Sequence, residues 1–585
     1  MSTINAKFHV IDENGNRYDM HQTTSISDVD GLESALNAKA NASDVTSGLA
    51  GKVDKETGKG LSTNDYTTAE KNKLSGIEAQ ANKTIVDAAL SSSSTNPVQN
   101  KVITTAFEQL KNYVTPEMFG AKGDGITDDT AAIQSALDNQ GYILFAPNKT
   151  YLISETLVVN SYTTVDFNNS TIKAKADSEF ISIAGLESMI RNYRMGMMDE
   201  EKDQNIVLKN LILDNNGIAK TAESGCIHFR AENSTIENVR IRVNGNNMWG
   251  INLFAANSDI LINKVFINND SAEGSLGGCL WVRTGINNGR PTKNVVVSNS
   301  RFESSAKDEV VALMSYRVNC SVTIKMINCY VLGKAVNILP DFLLTFRSQN
   351  SGAFIEGELI ANTIEGKCNE SLLAVSGSMT KGFFDNGIIT PSAGRSAIVQ
   401  SDEFKICNSI LKSDGIHVSM VGGKISNSFI EGTLNSCEEV IGCMFLCENT
   451  ESIVCDNCLK TIDNIIKTKG IGIHFYGDMP DIMCINNVIY ADKSAISAQP
   501  IDESEENTNL ESAIICNNVL QRLNSNTSNA DTIGINFINS DSIICKNNII
   551  YVAANNVTAN SKGFKYGVTY PEGTTVDNLI KFVPV

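Results

Sequence analysis

The chain has 585 residues, which is too many for one compact hydrophobic core. Charged residues make up only 19 % and aromatic residues 6 %, and Asn, Ser, Thr, Ile and Val are frequent, a composition that favours stacked short strands over helical bundles. The formal net charge of −18 argues against a nucleic-acid-binding protein, and no apolar run approaches the ~20 residues of a membrane-spanning helix.

Residues 1–27 predict a small β-segment. Lys7–Ile11 and residues 16–18 are short alternating runs on either side of an Asn-Gly turn that ends at Gly15. An isolated hairpin is barely stable in water, so we expect it to dock onto its own copies or onto another protein.

Residues 28–112 predict a helical shaft with linkers. Apolar residues recur at helical spacing at Val29, Leu32, Leu36, Ala40, Val45, Leu49 and Val53. Single helices of this length are marginal, but copies of them form a credible short coiled coil. Thr67 and Glu70 form a capping box, residues 91–100 have linker composition, and residues 101–112 predict one further helix.

The segment Phe119-Gly-Ala-Lys-Gly-Asp-Gly-Ile-Thr-Asp-Asp-Thr130 predicts a tight loop that leads into a helix at about 127–139. Thr127 is the expected cap, and Asp128 and Asp129 place negative charge in the first turn. A phosphate-binding loop is the alternative, but no strand precedes the segment, no lysine follows in the required place, and two aspartates would repel a phosphate. The aspartates as metal ligands or catalytic acids are a second alternative, to which capping is preferred.

A repeat begins at about residue 116. An asparagine followed by an apolar run starts at positions 210, 238, 263, 299, 328, 408, 427, 487, 518 and 548. The last three positions lie 31 and 30 residues apart. Periods of this size indicate a solenoid whose coils bury their apolar faces against one another. Asparagine suits the corners because it tolerates left-handed backbone and bonds neighbouring amides.

The glycine- and aspartate-rich segment resembles the first-coil helix of the pectate-lyase-like right-handed parallel β-helix, as found in bacteriophage tailspikes. Independently, Gly60-Leu-Ser-Thr-Asn-Asp-Tyr-Thr-Thr-Ala-Glu-Lys-Asn-Lys-Leu74 and Ser94-Thr-Asn-Pro-Val-Gln-Asn-Lys-Val102 resemble the shafts of phage tail fibres. These resemblances imply a mainly β protein with a right-handed parallel β-helix over 113–585, preceded by a short helical shaft and a small hairpin. They also imply that residues 1–27 dock onto the virion and that residues 28–112 trimerise.

A solenoid has no deep natural cavity, so we expect ligands along its flank. Residues 244–317 contain both tryptophans and many charged residues. Aromatic rings stack on sugars, and glycosidases use two carboxyl groups across the scissile bond. The catalytic candidates are Glu303, Asp308 and Glu309, with Asp270 or Glu273 on the neighbouring coil. The substrate-binding candidates are Trp249, Trp281, Arg283 and Arg317, the arginines for an acidic sugar.

Structural alternatives exist for all of these residues. Charged residues at strand ends usually face solvent, and the tryptophans could fill a coil or a subunit contact. His228 fits a hydrogen-bonded core or groove histidine better than a base. The Asn-Thr-Asp and Gly-His-Gly signatures of polygalacturonases are absent, so that mechanism is not carried over.

All 14 cysteines lie at or after Cys226, mostly inside strands, and predict small core residues. The single CxxC at Cys455 and Cys458 and the scattered histidines do not favour zinc, so we expect no metal and no cofactor. The beginning of the sequence lacks a signal-peptide core, so we expect folding in a cytoplasm without disulfides.

These observations predict a homotrimeric phage tailspike or tail appendage that is assembled in the host cytoplasm and located in the virion tail. Its N-terminus would dock onto a phage tail or portal-proximal protein. Its β-helix would bind a bacterial surface glycan during adsorption, with hydrolysis, elimination or no cleavage as open outcomes. The rivals are a purely structural or receptor-binding fibre and a secreted bacterial pectate-lyase-type enzyme, which would carry a signal peptide.

Overall fold

A computed structural model of the chain describes part of its residues. The described residues are 7–11, 13–15, 17–21, 34, 68–76, 86–89, 91–103, 112–176, 178, 180, 187–196, 201–220, 224–284, 290–316, 320–348, 353–376, 380–401, 403–412, 417–448, 453–475, 478–479, 481–492, 494–498, 509–510, 512–522, 535–537, 543–553, 564–566 and 575–583. The chain divides into two units, Met1–Lys111 and Asn112–Val585.

The first unit contains the predicted hairpin. Lys7–Ile11 and Arg17–His21 pair antiparallel, with Lys7 opposite His21 and Ile11 opposite Arg17. Helix α1, Thr68–Ser75, begins directly after the predicted capping threonine. The helices predicted over 28–56 and most of the helix predicted over 101–112 lie outside the described residues.

The second unit is a parallel β-helix, as predicted. Its strands pair in parallel with strands of the preceding and following coils, and the pairings form three long sheets. In the first sheet, for example, Val295 lies opposite Ile324 on the next coil. A coil passes through the first, second and third sheets in that order, and the next coil begins in the first sheet again.

The strands confined to the first sheet are Tyr113–Val114, Gly141–Leu144, Thr292–Ser298, Ser321–Ile327, Phe354–Ile360, Thr380–Asp385, Phe404–Cys407, Lys460–Ile462, Ile482–Ile485 and Ala513–Cys516. Those confined to the second sheet are Asp124–Asp128, Thr150–Ile153, Arg301–Ser304, Tyr330–Gly333, Ile410–Leu411, Phe429–Glu431, Met444–Cys447, Ile465–Thr468, Val488–Ala491 and Val519–Arg522. Those confined to the third sheet are Leu157–Val159, Glu187–Asn192, Ser224–Phe229, Met248–Phe254, Leu280–Arg283, Val311–Ser315, Phe342–Ser348, Ile453–Asp456, Ile471–His474, Ile496–Ala498, Ile535–Phe537 and Phe564–Tyr566.

Longer strands run through a corner and belong to two sheets. From the first sheet to the second these are Thr163–Ala174, Val207–Asp214, Ala231–Val243, Ser258–Asn269, Ile543–Ala553 and Thr575–Val583. From the second to the third they are Thr363–Ser376 and Ile388–Gln400, and from the third to the first they are His417–Ser426 and Thr433–Ile441. The remaining strands, Asp203–Gln204, Asp478–Met479 and Asn509–Leu510, have two residues each.

Helix α2, Thr130–Leu137, covers the first coil. Its Ile133, Ala136 and Leu137 are buried in the main core. The Gln134 side chain accepts a hydrogen bond from the Val158 amide at 2.8 Å and donates one to the Val158 carbonyl at 3.1 Å. These two bonds fix the helix to a strand of the third sheet.

The predicted capping by Thr127 is wrong. The helix starts three residues later because Asp124–Asp128 is a strand that pairs with Thr150–Ile153. The Thr127 hydroxyl instead donates to Asp124 at 2.8 Å, and Asp128 accepts the first helical amide, that of Thr130, at 3.1 Å.

Asp129 precedes the helix but its carboxylate faces the glycine loop. It accepts the amides of Lys122 at 2.7 Å and Gly123 at 3.0 Å. Two short 3₁₀ helices, Pro116–Phe119 and Tyr193–Gly196, also occur among the described residues. No helix in this described part is long and apolar enough to cross a membrane.

Asparagine forms most corners between the first and second sheets, as predicted. Left-handed backbone occurs there at Asn210, Asn238, Asn299, Asn328, Asn408, Asn427, Asn486, Asn517 and Asn547. Two details of the prediction are wrong: Lys264 rather than Asn263 is left-handed, and in the last coils the left-handed asparagine lies one residue before the predicted position. In the last coils a buried asparagine follows each corner. Asn464, Asn487, Asn518 and Asn548 donate to one another from coil to coil, at 2.8–3.1 Å.

The core runs through the interior of the coils. It consists of Ile, Val, Leu and Phe together with cysteines, all of which are free thiols and buried except for Cys407 and Cys516. Burial raises the pKa of the Cys443 thiol to about 11. Within the described ranges, no three His, Cys, Asp or Glu side chains are arranged to hold a metal ion.

Candidate functional site

The outer face of the third sheet carries a continuous row of side chains, one from each coil. Alternate residues of a strand face opposite sides, so Trp281, between the core residues Leu280 and Val282, faces outward. The parallel register extends the row in both directions, and we call it the outer row. Six consecutive members are Arg191, His228, Asn252, Trp281, Ala312 and Thr345.

The outer row is buried, and its polar atoms lack protein partners. Arg191 is half-buried, and the other five side chains are at most 5 % exposed. Both ring nitrogens of His228, both amide atoms of Asn252 and the hydroxyl of Thr345 have no hydrogen-bond partner. A buried donor or acceptor left unpaired costs about 1–3 kcal/mol. Several such groups on neighbouring coils make the outer row the candidate site for a ligand.

The two tryptophans stack in the middle of this surface. The ring centroids of Trp249 and Trp281 are 4.9 Å apart, and their planes are inclined by 31°. With Ala312, Met314 and Tyr316 they form a hydrophobic cluster separate from the main core. The predicted alternative of a coil-filling role is wrong for this pair, because the cluster lies on the opposite side of the strands from the core.

Arg283 extends the stack. Its guanidinium carbon lies 3.5 Å from the Trp281 ring centroid and 4.8 Å from that of Phe254, and its side chain is buried. The pKa of His228 is lowered to about 3. Burial is the larger cause, and the positive charge of Arg283 is the smaller one. The imidazole is therefore neutral at neutral pH, where one ring nitrogen donates and the other accepts. The expectation that His228 is hydrogen-bonded is wrong.

Asp308 and Glu309 lie at the corner that leads into the third sheet. The Asp308 carboxylate accepts the Gly277 amide of the preceding coil at 2.7 Å. Glu309 lies 3.4 Å from Arg347 and its side chain is 16 % exposed. Burial raises the pKa of Glu309, and the charges of Asp308 and Asp341 add to the increase, against the opposing effect of Arg347. Glu309 thus holds its proton more tightly than an ordinary carboxyl group.

Gly278 brings the backbone of Glu309 next to the tryptophan pair. A Cβ atom at Gly278 would lie 2.2 Å from the Glu309 carbonyl oxygen and 2.6 Å from the Trp249 ring. The absence of a side chain at this position lets the ring pack next to the backbone of Glu309. The structure therefore brings together four of the predicted residues, Trp249, Trp281, Asp308 and Glu309, and joins Arg283 to them through Trp281.

The structure places the other predicted carboxylates elsewhere. Glu303 lies on the outer face of the second sheet, beyond the corner, where it forms an ion pair with Arg301. Asp270 forms an ion pair with Lys334. Each of these two carboxylates thus has a cationic partner of its own.

Glu273 has a structural role. Its carboxylate accepts the amides of Val336, Asn337 and Ile338 at 2.8, 2.9 and 3.2 Å. These bonds, first that of Val336, lower the pKa of Glu273. Because residues 336–338 belong to a corner two coils further along, the carboxylate connects distant coils and cannot easily act as an acid.

Arg317, the remaining predicted residue, lies outside the described residues. Sequence reasoning missed Asn252, Asp341, Thr345 and Arg347 and misread His228. Successive members of the outer row are separated by unequal numbers of residues, because the corner loops differ in length. No fixed period in the sequence therefore reveals the row.

A shallow groove of about 400 Å³ lies on the outer face of the first sheet. Its lining includes Thr323, Lys325, Glu356 and Glu358. Lys325 and Glu358 form an ion pair across it at 2.8 Å. Because Lys325 is paired with Glu358 and Glu356 is paired with Lys381, this groove is a weaker ligand site than the outer row.

Comparison with known proteins agrees with the fold. A family model described as rhamnogalacturonase A/epimerase, pectate lyase-like, matches residues 116–333, which include most of the outer row described above. The capsule KN3-specific depolymerase 1 of Klebsiella phage KN3-1 is 28 % identical over 173 residues, 28 % of this chain and 22 % of the relative. The pre-neck appendage protein of Bacillus phage phi29 is 29 % identical over 117 residues, 20 % of this chain and 13 % of the relative.

The chain thus spans less than a quarter of the length of these curated relatives. Among solved structures, the tailspike protein of E. coli bacteriophage HK620 in complex with pentasaccharide aligns with 87 % of this chain and 84 % of its own, at 12 % identity and a TM-score of 0.42. The predicted resemblance to pectate-lyase-like β-helix proteins and to phage tail appendages is confirmed by the family model and by the phage relatives.

Proposed function

We propose that this protein is a phage tailspike that binds a bacterial surface polysaccharide along the outer row and depolymerises it, with Glu309 as the general acid. The observation that carries the proposal is the combination of a buried stacked tryptophan pair, unpaired polar groups on adjacent coils and a buried carboxyl group of raised pKa. The similarity of part of the chain to a phage capsule depolymerase supports it.

The outer row suits a polysaccharide because it is long and repeats with the coils. Neighbouring strands lie about 4.8 Å apart, so a glycan that follows the solenoid axis meets a new side chain at each coil. Sugar hydroxyl groups both donate and accept, as the neutral His228 imidazole and the Asn252 amide require. The Trp249 and Trp281 rings supply the apolar surface on which a sugar face packs.

Glu309 has the properties of an acid that protonates a leaving oxygen. A carboxyl group whose pKa is raised by burial keeps its proton to higher pH than an exposed one and can donate it to the glycosidic oxygen as the bond breaks. Hydrolysis needs a second carboxylate on the other side of the bond. Asp308 is the second group that we propose, because it stays close enough to Glu309 for its charge to raise the pKa of that group.

The N-terminal unit completes the proposed assembly. Residues 28–112 would trimerise the chain and residues 1–27 would attach it to the phage tail or a portal-proximal protein. Support comes from the shaft-like sequence and from the hairpin Lys7–His21, which on its own would be barely stable. Light scattering coupled to size exclusion should give three times the mass of the 63.2 kDa chain. A stable monomer would contradict the trimer.

Depolymerisation is tested with a panel of purified capsular and surface polysaccharides. New reducing ends indicate hydrolysis, and ultraviolet absorption of unsaturated products indicates elimination. Glu309→Gln should lower cleavage of a substrate by about 10²–10⁴-fold and leave its affinity within a few-fold, since only the proton is lost. Glu356→Gln, on the first sheet and paired with Lys381, is the matched control and should cleave at the wild-type rate.

The variants also separate the rival assignments. Loss of cleavage in Glu303→Gln but not in Glu309→Gln would show that the general acid is Glu303, on the second sheet. Binding without any cleavage by the wild-type protein would identify a receptor-binding fibre. Absence of binding to every glycan of a host to which the protein adsorbs would contradict the site itself.

A further inference from the structure

The outer row continues beyond the proposed glycan site and, several coils later, reaches three residues of a different character. From Thr345 the register passes through Ala374, Ile398, Ser419 and Asn435 to Asp456. It then pairs Asp456 with His474 and His474 with Ser497. At about 4.8 Å per coil, Asp456 lies roughly 24 Å along the sheet from Thr345.

These three side chains share the outer face of the third sheet. His474 lies between the core residues Ile473 and Phe475, so its ring points away from the interior. Asp456 follows the core residue Cys455, and Ser497 follows the core residue Ile496. Three successive coils therefore present a carboxylate, an imidazole and a hydroxyl group in line.

The carboxylate orients the imidazole. Asp456 Oδ1 lies 2.9 Å from Nδ1 of His474, whose side chain is 1 % exposed. A carboxylate can only accept, so Nδ1 carries the proton, and in the neutral ring Nε2 is the basic nitrogen. The ring is thus held in the tautomer that a general base requires.

Ser497 is the neighbour of that imidazole on the next coil. Its side chain is fully buried, and its Oγ has no hydrogen-bond partner. A buried hydroxyl group without a partner costs about 1–3 kcal/mol. Several other buried serines bond carbonyl oxygens instead, as Ser409 does with Cys407 at 2.6 Å. The Ser497 hydroxyl group therefore makes no hydrogen bond that would compete with a reaction, and it lies one coil from His474.

We propose that Asp456, His474 and Ser497 form a second active site, a serine esterase that removes acyl groups from sugar hydroxyls of the glycan bound by the same sheet face. The order carboxylate, imidazole, hydroxyl is that of nucleophilic acyl transfer and is defined by geometry rather than by sequence spacing. Rotation of the Ser497 side chain brings Oγ towards His474, as catalytic hydrogen bonds often tighten only when substrate binds. This activity goes beyond the proposed depolymerisation and uses none of its residues.

The chemistry balances without a cofactor. Ser497 Oγ attacks the acyl carbon while His474 takes its proton, and the carbonyl electron pair moves to oxygen. Collapse of this intermediate breaks the bond to the sugar oxygen, which takes the proton from His474 and leaves as an alcohol. A water molecule then attacks the acyl-serine with the same proton transfers, so that ester and water give carboxylic acid and alcohol.

Active-site labelling tests the proposal directly. The full-length protein is treated with a fluorophosphonate probe and digested, and the peptide that carries the adduct is identified by mass spectrometry. We expect the adduct on Ser497, no labelling in Ser497→Ala, and at least tenfold slower labelling in His474→Gln and Asp456→Asn. Ser494→Ala, three residues away on the same segment, is the matched control and should label as the wild type does.

Substrate turnover is measured as acetate released from 4-nitrophenyl acetate and from O-acetylated polysaccharide. Thermal melting shows which variants remain folded, and variants that melt early are replaced by Ser497→Thr and His474→Asn. Folded wild-type protein that neither labels nor releases acetate would overturn the proposal. So would labelling that persists in Ser497→Ala. Glu309→Gln should lose depolymerisation and retain esterase activity, so the two functions fail independently.

Discussion

The guanidinium of Arg283 lies flat against Trp281, with 3.5 Å between the guanidinium carbon and the ring centroid. Both side chains are buried on the outer side of the third sheet, where a cation without such contact would be costly. The stack therefore fixes both groups before a ligand arrives, and it joins the positive charge of the site to its aromatic surface.

Replacement of Arg283 by lysine tests the stack. An ammonium group cannot lie flat on an indole ring and loses more hydration on burial, so we expect Arg283→Lys to lower the free energy of unfolding by about 1–2 kcal/mol. Glycan affinity should fall at least tenfold. Arg240→Lys, at an exposed position of the second sheet, should change neither quantity measurably. Denaturant unfolding measures the stability of the two variants, and calorimetric titration measures their glycan affinity. Equal effects of Arg283→Lys and Arg240→Lys would contradict the role of the stack.

The pH dependence of cleavage follows from Glu309. Its pKa is raised from the ordinary value of 4.5 by burial, so the protonated form persists to higher pH than for an exposed carboxyl group. We expect cleavage to fall as pH rises through that raised pKa, because the acid form is lost. Arg347→Gln removes a positive charge that lowers the pKa of Glu309. We therefore expect the decline of the cleavage rate at high pH, the basic limb of the pH–rate profile, to move to still higher pH. An unchanged limb would show that another group is the acid.

The solenoid and its first helix were predictable, whereas the outer row was not. The left-handed corners could be found because Asn210, Asn299 and Asn328 recur in a local pattern that one residue type satisfies best. By contrast, Asn252 and Thr345 meet through strand register, and register depends on corner loops of unequal length. The start of α2 was misplaced because Asp124–Asp128 pairs with a strand distant in sequence, which overrode the capping preference of Thr127.

His228 makes the stability of the protein sensitive to acid. Its pKa is about 3 in the folded protein and near 6.5 when unfolded, so the unfolded chain binds more protons between these values. The stabilisation is complete above about pH 6.5 and is lost as pH falls towards 3, by up to about 1.4 kcal/mol per pH unit. His228→Gln should therefore lose less stability than the wild type between pH 7 and pH 4.5. Melting curves at both pH values measure the difference, and parallel losses would contradict the assignment.

Glu273 should stabilise the corner at residues 336–338 without much effect on the global stability of the protein. Its three bonds to the amides of Val336, Asn337 and Ile338 lie on an exposed corner. We expect Glu273→Ala to speed hydrogen exchange of those amides at least tenfold and to shift the global melting temperature little. Glu403→Ala, on an exposed corner of a later coil, should leave exchange at 336–338 unchanged. Unaltered exchange in Glu273→Ala would show that other contacts hold the corner.

The buried row of Asn464, Asn487, Asn518 and Asn548, here called the asparagine ladder, lies next to the corner asparagines in the sequence. The two kinds of asparagine have different structural roles. Asn518 is fully buried and accepts both the backbone and side-chain amides of Asn487, while its own amide group donates to the Cys484 carbonyl at 2.9 Å. Asn518→Ala leaves those groups unpaired and should cost several kcal/mol, at about 1–3 kcal/mol for each. Asn517 supplies only a left-handed corner, with φ of 60°. Asn517→Ala should cost about 1–2 kcal/mol, and Asn517→Gly should cost almost nothing. Denaturant unfolding of the three variants measures the loss of stability in each. An Asn518→Ala protein as stable as Asn517→Gly would show that the asparagine ladder does not hold the last coils together.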